Sequence, residues 1–192
     1  LIKRKKHYDQ LHLYAEAAAN LYGVISQDDF VALFNSQNED ITSKEELFDA
    51  LIRHIVVDAG YCFWDKYIVD IGFEDNGFAD VSDLLAQIGD KPRYIPEKKE
   101  FLKYADWRYF EHNEHSRNLG DYLIHVCGVA PLLVPKIVTE LHESCMLSES
   151  FQNRFDLLAE HGIEFDGDQL NEFIQLLSAF DNSTRLWSNN GH

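Results

Sequence analysis

The sequence predicts a mainly α, α+β protein in which a winged-helix-like unit with a β-hairpin is followed by a helical array. Three observations carry that prediction. Leu11, Tyr14, Ala15, Ala18, Leu21 and Tyr22 recur at helical spacing, and Leu47, Ala50, Leu51, His54 and Ile55 do so again. Tyr61-Cys62-Phe63-Trp64 and Tyr67-Ile68-Val69-Asp70-Ile71 are β-rich runs around Asp65-Lys66, the pattern of a hairpin. From Glu97 onward the chain alternates amphipathic stretches with short Gly- and Pro-containing breaks.

Each element has a local cause. Gly23 can take the left-handed conformation that ends a first helix. Ser26, with Asp29 three residues on, marks the cap of a second, and Leu21 to Ser26 reads as the turn between them. Thr42 or Ser43 caps a third helix through about Asp58, because Glu45 and Glu46 follow at capping spacing. Three amphipathic helices and a hairpin must bury their apolar faces together, so Leu21, Ile25, Phe30, Phe34, Leu47, Leu51, Trp64 and Ile68 are expected to share one core. Phe73 to Gly77 is a turn-rich break, and Val81, Leu84, Leu85 and Ile88 mark a short helix ended by Gly89.

Pro92 and Pro96 hold their predecessors extended, and Pro96 can open the next helix. That helix is expected over Glu97 to Val126, broken near Asp106 or around His112-Asn113. Pro131 or Pro135 starts another to about Met146, Ser148 caps one through Ala159, and Asp166 or Asp168 caps the last through Phe180. The expected units are 1–90 for the winged-helix-like part and 91–181 for the array, with 182–192 a polar tail or the start of a linker.

Composition narrows the function classes. With 45% hydrophobic and 26% charged residues in 192, the chain is long enough for a real core. No apolar run approaches the ~20 residues a membrane helix needs. Leu1-Ile2 leads into Lys3-Arg4-Lys5-Lys6 without the apolar stretch of a signal peptide. Cys62, Cys127 and Cys145 are odd in number and widely spaced, which reads as reduced thiols in the cytoplasm. The formal charge of −16 argues against nucleic acid, since phosphates are held by cations. Lys3 to Lys6 is the one dense basic cluster and reads as a solvated terminus. The third helix, where a DNA-binding winged helix reads the groove, sets Glu45, Glu46, Asp49 and Asp58 against Lys44 and Arg53.

Several short stretches carry a family resemblance: Tyr14-Ala15 through Leu21-Tyr22-Gly23-Val24-Ile25, Phe34-Asn35 with Asn38, Tyr94-Ile95-Pro96, Phe101 to Asp106, and Arg185-Leu186-Trp187 ahead of Asn190-Gly191-His192. In these the chain resembles the amino-terminal part of proteins of low-GC Gram-positive bacteria that bear a SEC-C zinc motif at the carboxyl end. The resemblance implies a fragment ending before that motif, because in such relatives the Gly-His pair is followed by Thr-Pro and a linker to the cysteines. No Cys-x-Cys spacing occurs here, so no zinc ligand is carried over. That family has no agreed activity, and the resemblance supplies a context without a reaction.

Candidate chemistry is sparse. His112 and His115, beside Glu111, lie about one turn apart if helical and could share an ion, although the order lacks the base of a zinc protease. His142 and Cys145 have the spacing of a thiol–imidazole pair. Asp166-Gly167-Asp168 lacks the rest of a calcium loop and suits a helix start. Trp107, Tyr109 and Phe110 spread around their predicted helix and form a candidate interaction surface if one aromatic face is open, or core if the helix is enclosed. The expectation is therefore a non-catalytic cytoplasmic protein-interaction module with an unspecified protein partner, no membrane contact and no cofactor in this chain. The alternatives are a winged-helix DNA-binding regulator and a metal-dependent hydrolase using His112 and His115.

Overall fold

Gly23, at φ 70°, donates its N–H to the Ala19 carbonyl at 2.8 Å and stops the first helix where the sequence places the break. The structure, a computed structural model, describes residues 2–192. It is 65% helical, and its described strands form one three-stranded antiparallel sheet. The chain divides into two compact units, one of Leu1–Tyr109 with Trp187–His192, the other of Phe110–Leu186.

The first unit is built around α1 (Ile2–Tyr22), whose residues from Leu11 onward are buried on nearly every side. Ala15, Ala17, Ala18 and Ala19 keep that helix thin, so its neighbours can approach its backbone closely. The order that follows is β1 (Val24–Ser26), α2 (Gln27–Gln37), α3 (Lys44–Asp58), β2 (Tyr61–Trp64) and β3 (Tyr67–Asp70). With sheet order β1-β3-β2, this is the winged-helix-like arrangement predicted above. Ser26 caps α2 by accepting from the Asp29 N–H at 3.0 Å. The hairpin turns at Asp65, which takes a positive φ of 50°.

Two local expectations change. Val24–Ser26 is an edge strand rather than a simple turn, pairing Val24 with Val69 and Ile25 with Ile68. Trp64 does not join Leu21, Ile25, Phe30, Phe34, Leu47, Leu51 and Ile68 in their shared core. In the pleat Phe63 and Ile68 point to one face and Trp64 and Tyr67 to the other. There Trp64 stacks half-buried between Tyr67 and Phe78, at 6.0 and 6.4 Å.

A 3-10 turn (Ile71–Asn76) leads to α4 (Ala79–Ile88), an extended stretch, the short α5 (Lys98–Phe101) and a 3-10 turn over Leu102–Ala105. The stretch 91–96, expected as a boundary, is tied into this unit by several hydrogen bonds. Tyr22 donates to Tyr94 O at 2.7 Å, Gln37 donates to Pro96 O at 2.9 Å, and the Tyr94 N–H donates to Asn190 O at 3.0 Å. Nor is 182–192 all tail. Trp187 is 7% exposed and its Nε1 donates to Asn20 O at 2.8 Å, while a side chain at Gly191 (φ 83°) would collide with the Tyr22 ring.

The second unit packs α6 (Glu114–His125), α7 (Val134–Met146), α8 (Phe151–Glu160) and α9 (Gly167–Asp181) around Leu119, Leu123, Leu141, Leu158, Phe173 and Leu177. Reciprocal caps, Asn113 with Ser116 and Asp166 with Gln169, start α6 and α9. Pro135 lies in the first turn of α7. The cap of α8 is Ser150 rather than Ser148, which takes a positive φ of 57°. No helix among the described residues is long and apolar enough to cross a membrane.

Candidate functional site

In a winged helix the third helix is the reading element, and α3 occupies that place. Its inner face buries Leu47, Ala50 and Leu51 in the core. Its outer face leaves Phe48 58% and Val56 77% exposed, with half-buried Ile52 between them on the same stripe. The Phe48 ring lies 6.0 Å from Phe63 of β2, so the apolar stripe continues toward the hairpin. Glu45 and Asp49 flank it, both exposed, and Lys44 is taken up by Asp28 at 2.8 Å. The face thus offers apolar contact bordered by two carboxylates, with the exposed Arg53 as the one cation beside them that no described carboxylate pairs. Duplex phosphates require the opposite.

A second feature of the same unit is a pocket of about 420 Å³ beside the edge strand. Val24 and Ser26 of β1, Asp29 of α2, Tyr67 of β3, Leu85 and Ile88 of α4, and Gly89, Asp90, Lys91 and Arg93 form its walls, closed by Asn190. The Arg93 guanidinium sits 4.6 Å over the Tyr22 ring, with Nη2 3.4 Å from Asp29 Oδ2. Its Nη1 is buried without a hydrogen-bond partner among the described residues. Burial disfavours its charge and lowers its pKa, but a guanidinium stays protonated regardless. Asn190, 5% exposed, donates from Nδ2 to Lys91 O at 2.9 Å, whereas its Oδ1 is buried and unpartnered. Lys91 Nζ donates to Ser188 O at 2.7 Å and Asn189 Oδ1 at 3.1 Å, neutral acceptors that leave its charge uncompensated.

A titratable cluster joins α1, α3 and β2. The His12 and His54 rings stack at 3.9 Å within 5° of parallel, His12 Nδ1 meets the Tyr61 hydroxyl at 3.0 Å, and Glu16 accepts from the Gly60 N–H at 3.1 Å. Burial raises the Glu16 carboxyl and lowers His12, each reinforced by a like-charged neighbour. Burial likewise lifts Asp70, at the end of β3, to about 6. Imidazole lone pairs lie in the ring plane, so two parallel stacked rings do not converge on one ion. Among the described residues no three His, Cys, Asp or Glu are placed to hold a metal.

The residues singled out from sequence mostly go separate ways. His112 lies in the loop before α6 and His115 in its first turn, both exposed. The segment 106–113 is not helical, because Asn20 Nδ2 donates to the Tyr104 and Asp106 carbonyls at 3.0 and 3.2 Å and Asn113 restarts the chain as a cap. Trp107, Tyr109 and Phe110 therefore share no helix face. Trp107 is 65% exposed, Tyr109 packs edge-on to Tyr104 at 5.0 Å, and Phe110 is buried in the core of the second unit.

His142 stacks on Phe110 at 4.5 Å, and burial lowers it to about 4, helped by His112. Burial lifts Cys145 to about 12, so thiol and imidazole are both neutral at pH 7 and no thiolate is poised. Cys62 is buried and raised to about 12 for the same reason. Asp166 serves as the cap of α9, accepting from Asp168 and Gln169 N–H groups. Lys3 pairs with Asp40 at 3.5 Å, and Arg4 donates to the Tyr8 hydroxyl. The pocket was invisible in sequence, its one local signal being Lys91 and Arg93 around Pro92.

Comparison of the chain with protein-family models, with curated proteins and with solved structures returned no match.

Proposed function

We propose that this chain is a non-catalytic protein-interaction module whose docking surface is the outer face of α3. The observation carrying this reading is the exposed stripe of Phe48, Ile52 and Val56 framed by Glu45 and Asp49, at the position where a nucleic-acid reader would display cations. Charge selects the partner's chemistry. A net charge of −16 repels a second copy, so the occupant is a different protein with apolar side chains flanked by Lys or Arg. Three unpaired cysteines, two of them buried, support a reducing compartment such as the cytoplasm. The resemblance to SEC-C proteins adds a context and no partner: on it, this module would be tethered to a small zinc-binding motif.

The test compares wild type with Phe48→Ser/Val56→Ser, both exposed positions, so the melting temperature should stay nearly unchanged. The variant should lose association with a basic peptide bearing a Leu/Lys amphipathic face, and wild type should show no sub-micromolar affinity for duplex DNA in ~150 mM salt, the physiological range. Tight duplex binding would replace this reading with a winged-helix DNA-binding regulator. Peptide binding indifferent to the double substitution would move the surface elsewhere.

A further inference from the structure

The pocket beside β1 combines three unmet bonding needs that point to one ligand chemistry. The first is a buried cation with a spare donor, Arg93 Nη1. The second is a buried acceptor, Asn190 Oδ1, on a side chain 5% exposed.

The third need is set by the ladder. The Asp70 N–H donates to Gly23 O at 2.8 Å and the Gln27 N–H to Lys66 O at 3.0 Å, so Gly23, Ile25 and Gln27 turn their backbone groups toward β3. Val24 and Ser26, the alternate residues, turn theirs outward from an edge strand, and both line the pocket. Neither their N–H groups nor the Val24 carbonyl has a backbone partner among the described residues.

We propose that this pocket takes the carboxyl-terminal end of an extended polypeptide. The terminal carboxylate is received by Arg93, the last peptide groups pair with the outward edge of β1, and Asn190 Oδ1 accepts a backbone N–H. Edge-strand addition supplies affinity through main-chain bonds, and capture of the chain end supplies direction. A planar carboxylate matches the guanidinium fork and brings one negative charge against Asp29 and Asp90 in the same walls, where a phosphate brings up to two. Lys91 adds attraction for the carboxylate, and a free amino acid lacks the peptide groups that pair with the β1 edge. The volume of about 420 Å³ is ligand-sized and admits a chain end but no folded domain. No residue of α3 lines the pocket, so this site stands or falls independently of the α3 reading.

The experiment titrates the full chain by calorimetry with three probes: a pool of random hexapeptides with free carboxyl ends, the same pool as carboxamides, and a mixture of free amino acids. The free-acid pool should bind, and amidation should weaken it about tenfold or more, the value of a hydrogen bond to a charged group. Arg93→Met should erase the difference between acid and amide. If that variant fails to fold, the acid-to-amide ratio of the wild type decides alone. Equal binding of both pools, no binding at millimolar peptide, or free amino acids binding as tightly as peptides would overturn the proposal.

Discussion

The outer face of α3 and the pocket at the β1 edge belong to one unit and solve opposite problems. The helix face is exposed and apolar, and its carboxylates stand in water; a hydrogen bond from Ser43 holds the Glu45 carboxyl below its ordinary range. The pocket encloses polar atoms that water reaches poorly, and two of them, Arg93 Nη1 and Asn190 Oδ1, are left without partners. Exposed apolar area is stabilised by covering it, and buried polar atoms are stabilised by bonding them. A surface of the first kind suits a broad protein contact. One of the second kind suits a small, directional ligand.

Stability changes should separate the two regions sharply. The largest is expected where the pocket is anchored: Trp187→Ala removes a side chain 7% exposed and its bond to Asn20, at a cost of about 3–5 kcal/mol by chemical denaturation. It should also lower peptide binding at the pocket, because Asn190 is held only three residues on. Retained stability would mean that Trp187–His192 is no part of this core. Across α3, Leu51→Ala should cost about 2–5 kcal/mol, since Leu51 is fully buried. The exposed Phe48→Ser, one turn earlier, should cost less than about 1 kcal/mol. Similar losses at both positions would erase the distinction between the inner and outer faces.

Carboxylates give a comparison of intermediate size. Asp70 is raised by burial from 3.8 to about 6, so the folded state holds its proton more tightly than the unfolded chain. That contribution is fully present below pH 3.8 and is lost as pH rises through about 6. Asp70→Asn, which can still accept from the Gly72 N–H, should therefore flatten the pH–stability curve and stabilise the protein at pH 7 by up to about 3 kcal/mol. An unchanged slope between pH 4 and 7 would show Asp70 to be solvated. The smallest effect should be that of Trp107→Ala: at 65% exposure its stability change should stay within about 0.5 kcal/mol.

How legible these regions were in sequence follows from how local their causes are. The core of α1 to α3 with Ile68 could be read because each apolar stripe is periodic within its own element. The α3 face was half-read: its acidity was plain, whereas the exposure of Phe48 and Val56 depends on which side meets α1. The strand at β1 was missed because Val24–Ser26 is short and becomes a strand only by pairing with Tyr67–Val69. The helix expected over Glu97 to Val126 does break near Asp106, but the non-helical gap runs on to Asn113, and its start is fixed by the distant side chain of Asn20, which takes the Tyr104 and Asp106 carbonyls. The pocket lay beyond reading because it draws on 24–29, 67, 85–93 and 190, of which 90–93 looked like a domain boundary and 190 like a tail.

The central claim, that α3 meets a protein and not a nucleic acid, is tested most directly by a photo-crosslinking amino acid at position 48 in the full chain, expressed in the native host. The account predicts one dominant protein adduct, basic at its contact site, that disappears when Glu45→Lys and Asp49→Lys are introduced together. An adduct to nucleic acid, or no adduct from position 48 while position 107 gives one, would contradict it.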